Sequence, residues 1–421
     1  MSKQRNNIFW SVAIVVLTLY NLTPSLNGFD TQFYILAGEN LWNGHIDCLR
    51  TPVYPLLCKI LSLLFGQNGL HPAMTILQSS VYLLSLCRLK HLAEMTIKNE
   101  AIRFALLLFY VSCIAPGWCN EIMTESLSIS GTIIITDLVV SFIKKTTTKT
   151  NVLIHSILLL LVFLRPTFVL FLMLLPLLWL YRLLTCKPNK HLCVALALSF
   201  FSIFCFVGYC HAYKQEFGHF GATTTFVFNK IYDAHRGGYW DPSSVKNKQA
   251  QAWIEYIDHQ YDGTYAPTYF TIMNHPESLV LINRGCDDII KAHRKEYLDY
   301  RTKLFVNSFD KRLLAAVNTH SPLSAILFVS SLFLSFPVSL FYLVTIMAIV
   351  SLIIYVFRNR QIPVIPSFLI LIVFAHSVGI IITTSDAFER VLLPVYPVFI
   401  VLLGIIIDKI INNFTAKQTP N

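Results

Sequence analysis

Long apolar stretches recur along almost the whole chain of 421 residues, and short gaps that contain lysine and arginine separate them. A helix needs about 20 apolar residues to cross a bilayer, and fewer when other helices surround it. By this criterion the pattern predicts about ten membrane-spanning helices, and therefore an all-α polytopic membrane protein. The predicted spans lie near residues 8–26, 72–88, 101–118, 122–143, 152–165, 167–182, 192–212, 337–357, 362–384 and 390–411.

Two segments between these stretches are too polar to cross a membrane. The first covers residues 27–71, and the second, residues 213–321, is the only long polar stretch. Its mixture of charges predicts a small solvated helical unit. The chain thus divides into an N-terminal transmembrane module (1–212) that includes the first polar segment, the large polar loop, and C-terminal transmembrane helices (322–421). Residues 323–336 are expected to form an interfacial helix, because a proline ends the apolar run there.

The basic residues are distributed unevenly over the gaps. The gaps assigned to the cytoplasmic face contain most of them, whereas the short gaps on the opposite face contain Arg50, Lys59, Arg165 and Arg390. Cytoplasmic loops carry an excess of lysine and arginine. This asymmetry predicts that both termini are cytoplasmic and that the two polar segments lie on the outer face.

Composition agrees with a membrane location and argues against two other classes. Only 13% of the residues are charged and the mean hydropathy is +0.57, whereas soluble domains contain about 25% charged residues. The net charge of +10 is spread over many gaps, so we expect no nucleic-acid partner. The ten cysteines form no CxxC pair and no metal-ligand spacing, so we expect neither a metal nor another cofactor.

Candidate chemistry is concentrated at the start of the first polar segment. If residues 30–43 are helical, Asp30, Tyr34 and Ala37 share one face of the helix, and Asp30 lies in its first turn. Aspartate at a helix start is also a common N-cap, and the prolines of residues 50–55 are equally typical of a turn. Glu125 lies inside a predicted span, where an unpaired carboxylate is costly, so it either pairs with a base or lines a cavity.

The residues of the first polar segment resemble the first outer loop of the GT-C membrane glycosyltransferases. The similarity is to the bacterial branch related to protein O-mannosyltransferases and to the aminoarabinose transferase of lipid A. That branch has a D-x3-Y-x2-A segment followed by R-x-P-x-Y-P. The matching residues here are Asp30, Tyr34, Ala37, Gly44 and Arg50-Thr51-Pro52-Val53-Tyr54-Pro55. Weaker similarities follow along the chain at Thr124-Glu125, Leu164-Arg165-Pro166 and Glu389-Arg390 with Pro394 and Pro397.

The resemblance implies a GT-C-like helical bundle that transfers a sugar from a polyprenyl-phosphate donor to a glycan, lipid or protein acceptor, with inversion, at the outer face of a bacterial inner membrane. Asp30 would accept the proton of the acceptor hydroxyl. Basic side chains would stabilise the departing phosphate, namely Arg50 and Arg390 with Lys59 and Arg165 behind them. Further residues would line the substrate cavity: Tyr34, Tyr54, Glu121, Glu125 and Glu389.

One departure from the family pattern leaves open which acid accepts the proton. Many relatives have two adjacent acids where this chain has Asp30 followed by Thr31, so Asp30 acts either alone or with Glu39, Glu121 or Glu125. The arginines and tyrosines of the site also have simpler interpretations. An arginine at a helix end can anchor in the headgroups, and a tyrosine can serve only in packing.

Two other functions compete with the transferase. One is a flippase or transporter of a lipid-linked glycan, and the other is an O-antigen-type polymerase or ligase. A transporter typically shows internal repeats and a midplane site, and neither is evident in the sequence. A transferase should gather Asp30, Arg50 and Arg390 around one cavity.

Overall fold

The computed structural model describes residues 1–25, 29–112, 114–187, 189–317, 321–384 and 388–418. Within these ranges the chain is helical, and an isolated bridge between Arg312 and Pro337 is the only β pairing. The α-helices are α1 (Lys3–Asn21), α2 (Phe29–Trp42), α3 (Val53–Thr96), α4 (Glu100–Ser112), α5 (Glu125–Lys144), α6 (Thr148–Leu164), α7 (Val169–Thr185), α8 (Lys190–Phe217), α9 (Thr225–Gly237), α10 (Lys248–Gln260), α11 (Ala266–Asn274), α12 (Ser278–Ala292), α13 (Arg294–Ser308), α14 (Pro322–Leu334), α15 (Val338–Asn359), α16 (Val364–Thr383), α17 (Phe388–Val391) and α18 (Tyr396–Gln418). Short 3-10 helices lie at Ala115–Asn120, Pro166–Phe168, Pro242–Ser244 and Leu393–Val395.

Seven helical segments of the described chain are long and apolar enough to cross a membrane. They are Glu100–Asn120, Glu125–Lys144, Pro166–Thr185, Lys190–Phe217, Val338–Asn359, Val364–Ile381 and Phe388–Asn412. The prediction of an all-α polytopic membrane protein is confirmed.

The other three predicted spans lie in α1, α3 and α6, which are not among these seven segments. The predicted span 72–88 is part of α3, which begins at Val53, so much of the segment assigned to the first polar loop is helical. A φ of 73° at Gly66 interrupts α3, a conformation that a residue with a Cβ rarely adopts. α6 is apolar but has only 17 residues.

The centre of the bundle is α5, which is buried along most of its length and packs against α3 and α6. Many of its buried residues are serine or threonine, whose small side chains allow close helix packing in a membrane. A second close approach joins α2 to α3, because a Cβ on Gly38 would lie 2.6 Å from the carbonyl oxygen of Pro55. The second half of α2 therefore packs closely against the start of α3.

Helices α9 to α13 are not among the seven segments that could cross a membrane, and residues 218–309 are called here the extramembrane unit. It has its own hydrophobic core, which is separate from that of the bundle and which the end of α8 joins. The boundary predicted at residue 213 therefore lies inside α8, which continues to Phe217. Polar contacts of this unit and of the end of α8 hold the loop between α2 and α3. The Thr224 hydroxyl of the unit and the Tyr213 hydroxyl of α8 donate to the carbonyl oxygen of Cys48, at 2.8 and 2.9 Å.

Candidate active site

Asp30 lies between two arginines that are distant in sequence. Its Oδ1 accepts a hydrogen bond from Arg50 Nη2 at 2.5 Å, and its Oδ2 accepts one from Arg390 Nη1 at 2.9 Å. The Asp30 side chain is 18% exposed. Both carboxylate oxygens are thus engaged by cations, and the simple N-cap interpretation does not account for these contacts.

A second carboxylate, Glu125, shares one of these arginines. Its Oε1 lies 3.3 Å from Arg165 Nη1 and 3.4 Å from Arg390 Nε. The Glu125 side chain is only 3% exposed, and a buried carboxylate of this kind needs paired cations. Arg390 therefore bridges Asp30 and Glu125, and the acids and arginines form one cluster.

Some polar atoms of this cluster remain available to a ligand. Within the described ranges, Glu125 Oε2 and the Nε atoms of Arg50 and Arg390 are buried and have no hydrogen-bond partner. Native structures satisfy most buried polar atoms. Of these three atoms, Arg390 Nε lies 3.4 Å from Glu125 Oε1 in an ion pair. Guanidinium groups of this kind suit an anion such as a phosphate.

Two tyrosines form one wall of the cluster. The guanidinium carbon of Arg50 lies 4.4 Å from the centre of the Tyr34 ring, and Tyr34 contacts the Tyr54 ring edge-on at 4.8 Å. The Tyr34 hydroxyl is 3.4 Å from both Arg50 Nη1 and the Thr124 hydroxyl. Tyr54 is buried, and its hydroxyl donates to Gln78. Tyr34 therefore contacts Arg50 directly, whereas Tyr54 packs against Tyr34.

The ends of helices bring these residues together. Asp30 is in the first turn of α2, and Glu125 is the first residue of α5. Arg165 lies in the break between α6 and the 3-10 helix that begins at Pro166. Arg390 belongs to the four-residue helix α17. Charged residues at helix ends avoid the apolar interior of the bundle, and here the ends converge on one point.

The arginines alter the acidity of the groups around them. Burial alone would raise the pKa of Asp30, but the charges of Arg50 and Arg390 outweigh it and hold the pKa at about 2. The pKa of Tyr34 is raised, mainly by burial. Asp30 is therefore fully ionised at neutral pH while both arginines contact it.

Three of the residues predicted for the site make no described hydrogen bond or ion pair with Asp30, Glu125 or the arginines of the cluster. Lys59 donates a hydrogen bond at 2.5 Å to Glu39 and makes no described contact with Asp30. Glu121 is buried and accepts a hydrogen bond from Ser25, at 3.2 Å. Glu389 makes no hydrogen bond or ion pair with the residues that the structure describes.

The sequence analysis missed several residues that hold the site. Asp47 is fully buried, and its Oδ1 accepts hydrogen bonds from the backbone N–H groups of Leu49 and Arg50, at 2.9 and 2.8 Å. Tyr269 of the extramembrane unit donates to the other oxygen at 2.6 Å. An acid before a turn is a weak local signal for such a role, and no local signal points to Tyr269.

A third such residue, Arg301, connects the extramembrane unit to α16. Its Nη1 donates to the carbonyl oxygen of Thr384 at 2.6 Å, and its Nη2 donates to that of Ile381 at 2.5 Å. Asp233 lies 3.2 Å from the same guanidinium. These bonds satisfy carbonyl groups that the end of a helix leaves without partners, just ahead of α17.

Comparison with solved structures places the chain in a known class of fold. No family model matches the sequence, and a search of curated proteins finds no relative. The helical fold of the described chain is similar to that of archaeal oligosaccharyltransferases.

Two of the structures that it matches come from Archaeoglobus fulgidus. One is the archaeal oligosaccharyltransferase AglB in complex with an inhibitory peptide and a dolichol-phosphate, with a TM-score of 0.50 and 10% identity over 100% of this chain and 53% of that chain. The apo form of the oligosaccharyltransferase gives a TM-score of 0.50 and 10% identity over 99% of this chain and 52% of that chain. The chain thus spans about half the length of these proteins, and at this identity the likeness shows the fold alone.

Proposed function

We propose that the protein is an integral membrane glycosyltransferase that moves a sugar from a polyprenyl-phosphate donor to an acceptor. The observation that carries the proposal is the cluster in which Arg50 and Arg390 enclose Asp30. It combines an acid that can take a proton with two cations that can bind a phosphate. The archaeal neighbour of similar fold was solved with a dolichol-phosphate, which supports a lipid phosphate as the ligand.

In the proposed reaction, the acceptor hydroxyl attacks the anomeric carbon of the donor sugar on the face opposite the phosphate. A bond forms between the acceptor oxygen and the anomeric carbon, and the bond from that carbon to the phosphate oxygen breaks. The hydroxyl proton passes to Asp30, and the electron pair of the broken bond stays on the phosphate. Attack from the opposite face inverts the configuration at the anomeric carbon.

Arg50 and Arg390 bind Asp30 when no donor is present and the donor phosphate when it binds. Without donor they bind Asp30, which lowers its pKa to about 2 and makes it a weak base. A donor phosphate competes for the same guanidinium groups, so the pKa of Asp30 rises when the donor binds. Asp30 thereby becomes a stronger base only in the presence of the donor.

The remaining site residues have supporting roles. Arg165 pairs with Glu125, and Tyr34, packed against Tyr54, forms the wall against which the sugar would lie. Lys59, Glu121 and Glu389 make no described hydrogen bond or ion pair with the acids and arginines of the cluster.

We place this site at the outer face of a bacterial inner membrane, with both termini in the cytoplasm. The positive-inside distribution of lysine and arginine supports this orientation. The motif of the first polar segment supports the bacterial branch of the GT-C enzymes. The convergence of Asp30, Arg50 and Arg390 favours a transferase over a transporter, whose site would be reached from both sides of the membrane.

A transfer assay tests the proposal. The full-length protein in liposomes is incubated with a panel of polyprenyl-phosphate sugars and an acceptor extract, and release of polyprenyl phosphate is followed. We expect release from at least one donor, loss of activity in Arg390→Gln, and wild-type activity in Arg284→Gln, because Arg284 is exposed and distant in sequence from the cluster. Activity in Arg390→Gln equal to that of wild type would contradict the phosphate assignment.

A further inference from the structure

The loop that carries Arg50 is attached to the end of α8 and to the extramembrane unit. The hydroxyl groups of Tyr213 in α8 and Thr224 in the unit donate to the carbonyl oxygen of Cys48. The backbone N–H of Ile46 donates to Glu216 at 3.0 Å. The position of this loop therefore depends on side chains at least 165 residues away in sequence.

Asp47 is the centre of this attachment. One carboxylate oxygen accepts hydrogen bonds from the backbone N–H groups of Leu49 and Arg50. The other accepts hydrogen bonds from the Tyr269 hydroxyl at 2.6 Å and from Asn40 Nδ2 at 3.1 Å. The side chain is completely buried, and no lysine or arginine of the described chain forms an ion pair with it. Hydrogen bonds from these four groups stabilise the buried carboxylate, so the loss of one of them is costly.

The ring and the hydroxyl of Tyr269 act separately. The ring packs edge-on against Phe33 of α2, with 4.8 Å between the ring centres. The hydroxyl reaches Asp47 and also accepts a hydrogen bond from Asn40 at 3.1 Å. Replacement by phenylalanine keeps the ring contact with α2 and removes only the hydroxyl.

We propose that Tyr269 is a positioning residue for Arg50, acting through Asp47, so that the extramembrane unit sets the geometry of the donor-phosphate site. The inference rests on the proposed function, because it assigns Arg50 to the donor phosphate. Asp47 fixes the backbone at Arg50 with one oxygen and is itself held by Tyr269 with the other. A small displacement of a group that must contact the phosphate in a fixed geometry weakens binding strongly.

The test is the affinity of Tyr269→Phe for a lipid phosphate. Radiolabelled undecaprenyl phosphate and dolichyl phosphate are bound to the full-length protein in nanodiscs. We expect Tyr269→Phe to bind about tenfold more weakly than wild type, the effect of losing one hydrogen bond to a buried charge. In an Arg50→Gln background the same substitution should have no further effect, because its action on the phosphate passes through Arg50.

Tyr239→Phe is the matched control. Tyr239 is also buried in the extramembrane unit, but its hydroxyl has no hydrogen-bond partner in the described chain. The Tyr239→Phe variant should bind lipid phosphate with wild-type affinity. Both variants should keep the wild-type melting temperature within a few degrees.

The outcomes separate the inference from the proposed function. Wild-type affinity in Tyr269→Phe, or an equal loss in the Arg50→Gln background, would overturn the inference and leave the proposed function standing. If wild type binds neither lipid phosphate, the proposed function fails and the inference falls with it.

Discussion

Asparagine at position 30 should increase the affinity for polyprenyl phosphate. The substitution keeps the size of the side chain and removes the negative charge that lies between Arg50 and Arg390. In wild type a phosphate must compete with Asp30 for these two arginines. In Asp30→Asn the arginines face each other without that carboxylate, so an anion gains more by binding.

The structure sets the size of this effect. The arginines lower the pKa of Asp30 from its ordinary value of 3.8 to about 2 despite burial. This change corresponds to about 2 kcal/mol of interaction with the carboxylate. Since the Asp30 side chain is 18% exposed, solvent screens part of this interaction. We therefore expect an affinity for polyprenyl phosphate about tenfold higher in the variant.

Equilibrium binding of radiolabelled undecaprenyl phosphate to protein in nanodiscs measures this directly. Glu389→Gln is the control, because it also removes one negative charge close to Arg390 in sequence, but from a side chain without described contacts. An affinity of Asp30→Asn that equals or falls below that of wild type would refute the competition between Asp30 and the phosphate.

Three further outcomes follow from the same cluster. Because the folded-state pKa of Asp30 lies below its unfolded value, its contribution to the free energy of unfolding is present above about pH 4 and is lost as the pH falls through about 2. Thermal unfolding from pH 2 to 5 should show this dependence in wild type, and a weaker one in Asp30→Asn. Glu125→Gln should lower the free energy of unfolding by about 3 kcal/mol, because it leaves two arginines without this acid; an unchanged denaturation midpoint would contradict the pairing. Lys59→Met should keep the phosphate affinity within about twofold, because Lys59 pairs with Glu39, and a tenfold loss in the binding assay would place Lys59 at the phosphate.

Local sequence patterns predict the helices and part of the site. The apolar stretches predict α15, α16 and α18 closely, because a membrane span requires a long run of apolar residues. The spacing from Asp30 to Tyr34 places both residues on one face of α2, and the structure has a helix there. These features depend on residues that are close together in sequence, and a single sequence shows such residues directly.

The remainder of the site depends on packing that local patterns do not encode. Lys59 and Arg50 look alike as basic residues near the start of α3, yet Lys59 faces Glu39 and Arg50 faces Asp30. The partner of Asp47, Tyr269, is 222 residues away and belongs to a unit whose sequence carries no recognisable motif. The helices must be packed before such contacts exist.

The central claim is that Asp30 accepts a proton during sugar transfer, and the most direct test is the transfer rate of Asp30→Asn. Purified wild type and variant are reconstituted in the same liposomes and supplied with the donor that wild type uses. We predict that the variant keeps its fold and binds polyprenyl phosphate but transfers sugar at least about 100-fold more slowly. Transfer by Asp30→Asn at the wild-type rate would contradict the account and leave Asp30 only a structural partner of the two arginines.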